Sequence, residues 1–167
     1  CVGQTTQLGI DYGTIPASSC GPTSQGCLGV VQNGDIGTGT ATNSGSTFPS
    51  IYAGSRWGAK HQIIYQPADL ISMGMAAGGM LNSIAFFVNT VGTPTVYDNF
   101  EIKMGCTSEM DLSNGWVSPG NMTVVVPANL YTAVAGWNVH NFNTAYKWDG
   151  TSSLVFEICF NNVGNAA

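Results

Sequence analysis

The chain has 167 residues, of which 44% are hydrophobic and only 8% charged, with a net charge of −5; soluble domains usually carry about 25% charged residues. That length suffices for one domain that buries roughly two-thirds of the surface its unfolded form exposes, without help from a metal. Arg56, Lys60, Lys103 and Lys147 are the only strong cations, too few to neutralise a run of phosphates, which argues against a nucleic-acid partner; the longest apolar run, Ile84–Val88, falls far short of the roughly 18–20 residues of a membrane span.

From Cys1 to about Ser50 the sequence is dominated by Gly, Thr, Ser and Asn, with apolar patches only at Val2–Ile10 and Leu28–Val31. It reads as a loop-rich segment, 1–47, of extended strands and long connections. Asn33-Gly34-Asp35-Ile36-Gly37-Thr38-Gly39-Thr40 has the chemistry of a surface turn, because Gly and Asn accept positive φ cheaply. It lacks the lysine and the following apolar helix of a phosphate-binding loop.

Beyond Phe48-Pro49 the pattern changes. Lys60–Gln66 alternates as a strand does, placing His61, Ile63 and Tyr65 on one face. Pro67-Ala68-Asp69-Leu70 then starts a short helix near 67–75, with proline where a missing N–H costs nothing and Asp69 near the positive end of the dipole. Gly74, Gly78 and Gly79 each oppose its continuation by about 1 kcal/mol.

Five segments follow, Leu81–Val91, Asn99–Gly105, Met122–Val126, Trp137–Asn143 and Leu154–Phe160, all rich in β-branched or aromatic residues and separated by turn-forming clusters. Phe100-Glu101-Ile102-Lys103-Met104 puts Glu101 and Lys103 on the wet face. Leu154, Phe156, Ile158 and Phe160 share one face of the last segment, and Val155, Glu157 and Cys159 the other. Short strands at this spacing with one small helix predict a single all-β domain, an antiparallel two-sheet β-sandwich of jelly-roll or immunoglobulin-like type.

Five cysteines in so weakly charged a chain point to an oxidising compartment. Cys20 and Cys27 bracket a turn-rich stretch and are the first pair to consider. Cys106 and Cys159 lie at the ends of two strand candidates and could staple strands or sheets. Cys1 is then left over, to pair outside the chain, stay free or carry a lipid; spacing alone does not fix connectivity. If the protein is exported, the numbering begins after removal of a signal peptide. Zinc spacing is absent. Glu109 with Asp111, or Asp149 in its Asp-Gly turn, could lend oxygens to a loop calcium site, although turn capping explains them more cheaply. Asn121-Met122-Thr123 fits the glycosylation sequon.

His61 and His140 stand in no nucleophile or metalloprotease motif, and no paired acidic motif is present; they read as strand polar groups satisfied by backbone partners, and no enzymatic activity is expected. Among the aromatic residues, Trp116 sits in a loop and is the best candidate for a ligand or partner platform, followed by Trp57 and Tyr52, whereas Trp137 and Trp148 border strands and are expected to close the core.

A run of blocks carries a resemblance. Phe48-Pro49-Ser50-Ile51-Tyr52, Trp57-Gly58-Ala59-Lys60-His61-Gln62-Ile63-Ile64-Tyr65, Ile84-Ala85-Phe86-Phe87-Val88-Asn89, Gly105-Cys106-Thr107-Ser108, Gly136-Trp137-Asn138-Val139-His140-Asn141-Phe142, and Trp148-Asp149-Gly150-Thr151-Ser152-Ser153-Leu154 with Glu157-Ile158-Cys159-Phe160-Asn161-Asn162 follow in order across residues 48–162. Together they resemble a module of large surface and secreted proteins of Bacteroidota, similar to type IX secretion substrates. The resemblance implies an extracellular β-sandwich of an adhesin-like or fibrous protein with no established catalysis, and it supports pairing Cys106 with Cys159. Similar modules continue with strand-like sequence beyond Asn161-Asn162. The resemblance thus leads to the expectation of either a piece of a longer protein or a sandwich completed by a neighbour's strand.

The low charge and neutral Gly/Thr/Asn surface, which gives copies little mutual repulsion, lead to one expectation: a secreted, cell-surface structural or adhesive module that contacts copies of itself or neighbouring domains by strand edges. The alternative is a carbohydrate-binding module whose exposed aromatic residues stack on glycans.

Overall fold

The computed structural model describes residues 4–9, 19–24, 31–37, 42, 50–52 and 57–162. Period-two alternation dominates this sequence, and it folds accordingly into two antiparallel sheets with one short helix. The elements run β1 (Gln4–Gly9), β2 (Gly21–Thr23), β3 (Val31–Ile36), β4 (Gly58–Tyr65), α1 (Pro67–Ser72), β5 (Met80–Val88), β6 (Val96–Thr107), β7 (Thr123–Thr132), β8 (Gly136–Lys147) and β9 (Ser153–Asn161). One sheet has the order β2-β8-β5-β1-β3 and the other β4-β9-β6-β7. No helix among the described residues is long and apolar enough to cross a membrane.

The alternation decides what faces inward. Phe100, Ile102 and Met104 of β6, Leu154, Phe156, Ile158 and Phe160 of β9, and Leu81, Ile84 and Phe86 of β5 meet between the sheets, with Tyr65 and Trp148 closing the same cluster. Each such side chain contributes roughly 1.5–3 kcal/mol on burial. His61, Ile63 and Tyr65 share the inner face of β4, as their spacing predicts. β5 lies inside its sheet, paired with β8 on one side and β1 on the other.

The helix follows its sequence signals. Pro67 opens it, the Gln66 backbone N–H donates to the Asp69 carboxylate at 3.1 Å, and Leu70 is buried beneath it. Gly74, at φ +97, takes the chain out of the helix after Met73, a conformation that suits glycine.

Two stretches depart from expectation. Asn33, Gly34, Asp35 and Ile36, predicted as a turn, belong to the edge strand β3, which pairs with β1 from Gln4↔Ile36 to Gly9↔Val31. Long-range pairing prevails over local turn preference here, and Gly34 serves close packing: a Cβ on it would lie 3.0 Å from the Met73 carbonyl oxygen. β7, predicted to end at Val126, continues through Pro127 to Thr132. Proline is tolerated because β7 is an edge strand, where one face of the ladder needs no donor.

Candidate functional site

The outer face of the four-stranded sheet carries a concentration of polar chemistry on a chain that is otherwise poor in charge. Antiparallel register brings it together in rows. Lys60 lies opposite Cys159, which lies opposite Glu101; the next row holds Gln62, Glu157 and Lys103. The Lys60 ammonium reaches diagonally to Glu157 Oε1 at 3.1 Å, and Lys103 bridges Glu101 Oε1 at 3.1 Å and Glu157 Oε1 at 3.8 Å. Gln62 adds an amide hydrogen bond to Glu157 Oε2 at 2.9 Å. The Glu157 side chain is fully buried although it points away from the core, and two ammonium groups with a fixed amide offset the desolvation that such burial costs.

The cover is the segment between β6 and β7. It is pinned by a reciprocal pair of hydrogen bonds, from the Gln62 amide to the Val117 carbonyl and from the Val117 N–H to Gln62 Oε1, both 2.8 Å. Lower down, Gly105 lets the chain cross closely, since a Cβ there would stand 2.9 Å from the Asn121 carbonyl oxygen. Trp116 is thereby held with Lys60 Nζ 5.6 Å from its ring centroid, within cation–π range.

Only half of the face is covered. The row of Lys60, Cys159 and Glu101 opens into a shallow groove of about 560 Å³, lined also by Asn99, Asn161 and Ala128. Cys159 on its floor is a free, half-buried thiol; burial first, then the Glu101 carboxylate, pushes its pKa up. The Lys103 ammonium is held protonated above its usual range, chiefly by its hydrogen bond to Glu101.

The aromatic candidates divide. Trp116 is 58% exposed and Trp57, immediately before the groove residue Gly58, is 59% exposed. Tyr52 is not a surface platform. It is half-buried between the sheets, stacked on Phe100 and Tyr131, with its hydroxyl 2.6 Å from His140 Nε2, because the aromatic interior offers the ring more contact than solvent does. Trp148 is fully buried, but Trp137 is 43% exposed, since its place in β8 faces outward beside Phe87, its neighbour on β5.

The disulfide connectivity also differs from expectation. Cys106 pairs with Cys20, their Cα atoms 6.2 Å apart, and not with Cys159. Cys106 lies near the end of β6, opposite Leu154, whereas Cys159 sits on the outer face of β9 opposite Glu101, five register positions away. Cys20 is therefore unavailable to Cys27, which with Cys1 lies outside the described residues.

Two of the calcium candidates, Asp111 and Asp149, act as turn caps. Asp111 accepts the Ser113 N–H at 2.8 Å, and Asp149 accepts the Thr151 and Ser152 N–H groups, each at 2.8 Å. Glu109 donates its own N–H to the Thr107 hydroxyl. Among the described residues no group of three or more His, Cys, Asp and Glu side chains is arranged to hold a metal.

Both histidines are buried, and burial lowers both pKa values, that of His140 to about 4. His140 is met by a tyrosine hydroxyl instead of a backbone group. The sequence reading missed the Lys60–Glu157–Lys103 cluster. Its signal was present in the outward alternation of Glu101, Lys103, Glu157 and Lys60, but the register joining three strands was not.

No protein-family model, curated protein or solved structure matches this chain.

Proposed function

We propose that this chain is a non-catalytic extracellular module that assembles, with copies of itself or with adjoining domains of a surface protein, by adding strands at a sheet edge. The observation that carries the reading is the contrast among the four edges. β2 is three residues long and contains Pro22; β4 bears Lys60; β7 contains Pro127 and pairs irregularly with β6. Short length, proline, lysine and irregular pairing are devices that protect an edge from further pairing. β3 has none of them. It pairs with β1 over six successive residues without a register shift, its only charge is Asp35, and no strand lies beyond it among the described residues. A regular strand in that position is a template for β-augmentation.

The Cys20–Cys106 disulfide agrees with an oxidising extracellular setting, as does the resemblance to secreted surface modules. Sedimentation velocity across a concentration series tests assembly. Growth with concentration is expected, and a Gln32→Lys/Asn33→Lys double variant should shift it strongly toward monomer; a wild-type chain that stays monomeric at high concentration would refute self-assembly through this edge.

A second reading, glycan binding, is favoured by the two exposed indoles: Trp57, next in sequence to the groove residue Gly58, and Trp116, beside the groove residue Lys60. Trp116→Ala should then weaken binding on a glycan array.

A further inference from the structure

We infer that the groove over Lys60, Cys159 and Glu101 is a subsite for one neutral sugar unit, bound through a pair of adjacent hydroxyls. The inference rests on the glycan-binding reading and assigns it a place and a ligand chemistry.

The charges are the first argument. Lys60 is paired with Glu157, and Lys103 with Glu101 and Glu157, so the two ammonium groups and two carboxylates balance and the groove attracts neither anions nor cations. It nevertheless retains hydrogen-bonding capacity at both sides. An ammonium has three donors and a carboxylate about four lone-pair sites, and each ion pair uses only part of these.

Position is the second. Lys60 and Glu101 flank Cys159 in one row of three strands, so their Cα atoms stand about 10 Å apart, two strand spacings. One wall offers only donors and the other only acceptors. A hydroxyl both donates and accepts, and neighbouring hydroxyls on a ring meet the two walls at once; Asn99 and Asn161 also line the groove.

Preorganisation is the third. The Gln62–Glu157 hydrogen bond, the ion pairs and the pinned Val117 segment hold the walls in place without ligand, which lowers the ordering cost of binding. Trp116, held beside Lys60, presents an exposed ring to an adjoining unit of the same chain; sugar faces stack on such rings.

The test uses the whole chain with cellohexaose, xylohexaose, mannohexaose and laminarihexaose, followed by calorimetry and by mass-resolved iodoacetamide labelling of Cys159. At least one neutral oligosaccharide should bind, with affinity little changed by salt. The bound sugar should slow labelling of Cys159 several-fold, and Glu101→Ala or Ala128→Trp, checked for folding by circular dichroism, should weaken binding at least tenfold. If an oligosaccharide binds and Trp116→Ala abolishes binding, yet Cys159 labelling and the groove variants are unaffected, the subsite is wrong and the glycan reading stands. Failure of all four sugars at millimolar concentration overturns both, and binding that collapses with salt overturns the neutral ligand.

Discussion

The Tyr52 hydroxyl and His140 Nε2 share a 2.6 Å hydrogen bond inside the sandwich although 88 residues separate them in sequence. Phe100 stacks on both rings, at centroid separations of 5.9 and 4.8 Å, and the Tyr97 hydroxyl donates to the Tyr52 carbonyl at 3.0 Å. The pair joins the segment before β4 to the centre of β8 in surroundings that favour an uncharged imidazole.

That preference sets a pH dependence. Burial lowers the His140 pKa from 6.5 to about 4, so between those values the unfolded chain binds a proton that the native chain refuses. Stability therefore falls as pH drops from about 6.5 to about 4, by an amount on the order of 3 kcal/mol for this group. Urea unfolding at pH 7, 5.5 and 4.5 should show the fall. His140→Phe should reduce it, leaving the slope from His61, whose pKa burial also lowers, and at the acid end from Asp149, where burial is outweighed by hydrogen bonds to Ser152 and Thr151 that hold its carboxyl below the usual range.

Cys20 and Cys106 are 86 residues apart in sequence. Opening so long a loop in the denatured chain should cost roughly 2–5 kcal/mol. A Cys20→Ser/Cys106→Ser variant should unfold at correspondingly lower denaturant, and a non-reducing peptide map should link Cys20 to Cys106; a Cys106–Cys159 link would contradict the fold described.

Glu157 and Lys60 form one ion pair, yet their removal should not cost the same. Glu157→Ala takes the buried partner from both lysines and leaves Gln62 short of an acceptor, so a loss of about 3 kcal/mol is expected. Lys60→Met removes a side chain that is nearly half exposed and should cost under about 1 kcal/mol. Chemical denaturation of both variants tests the order.

Gly150, at φ +90, packs on Ala77, and a Cβ on it would come within 2.9 Å of the Ala77 Cα. Gly150→Ala combines backbone strain with a clash and should destabilise by roughly 2 kcal/mol or more, visible as a lowered Tm. Gly120→Ala, which meets only the Ser118 hydroxyl oxygen at 3.8 Å, is the mild control.

Legibility from sequence followed the range of the interactions. Phe100-Glu101-Ile102-Lys103-Met104 and the Leu154–Phe160 segment gave their faces directly, because a strand's alternation is local. The helix at Pro67 was readable for the same reason. The Asn33–Ile36 strand was not, since its residues prefer turns and only pairing with β1 extends them. Nor was the Cys20–Cys106 bond, or the meeting of Lys60, Glu157 and Lys103, each of which depends on register between strands remote in sequence. Tyr52 looked like a surface aromatic because nothing near it in sequence announces the pocket formed by Phe100, Tyr131 and His140.

The most direct test of the central claim is amide hydrogen exchange, read by mass spectrometry on dilute and concentrated samples of the native chain. Assembly through the unprotected edge should add protection at Val31–Ile36 as concentration rises, with β2 and β7 unchanged. Exchange at β3 that is the same at every concentration would contradict it.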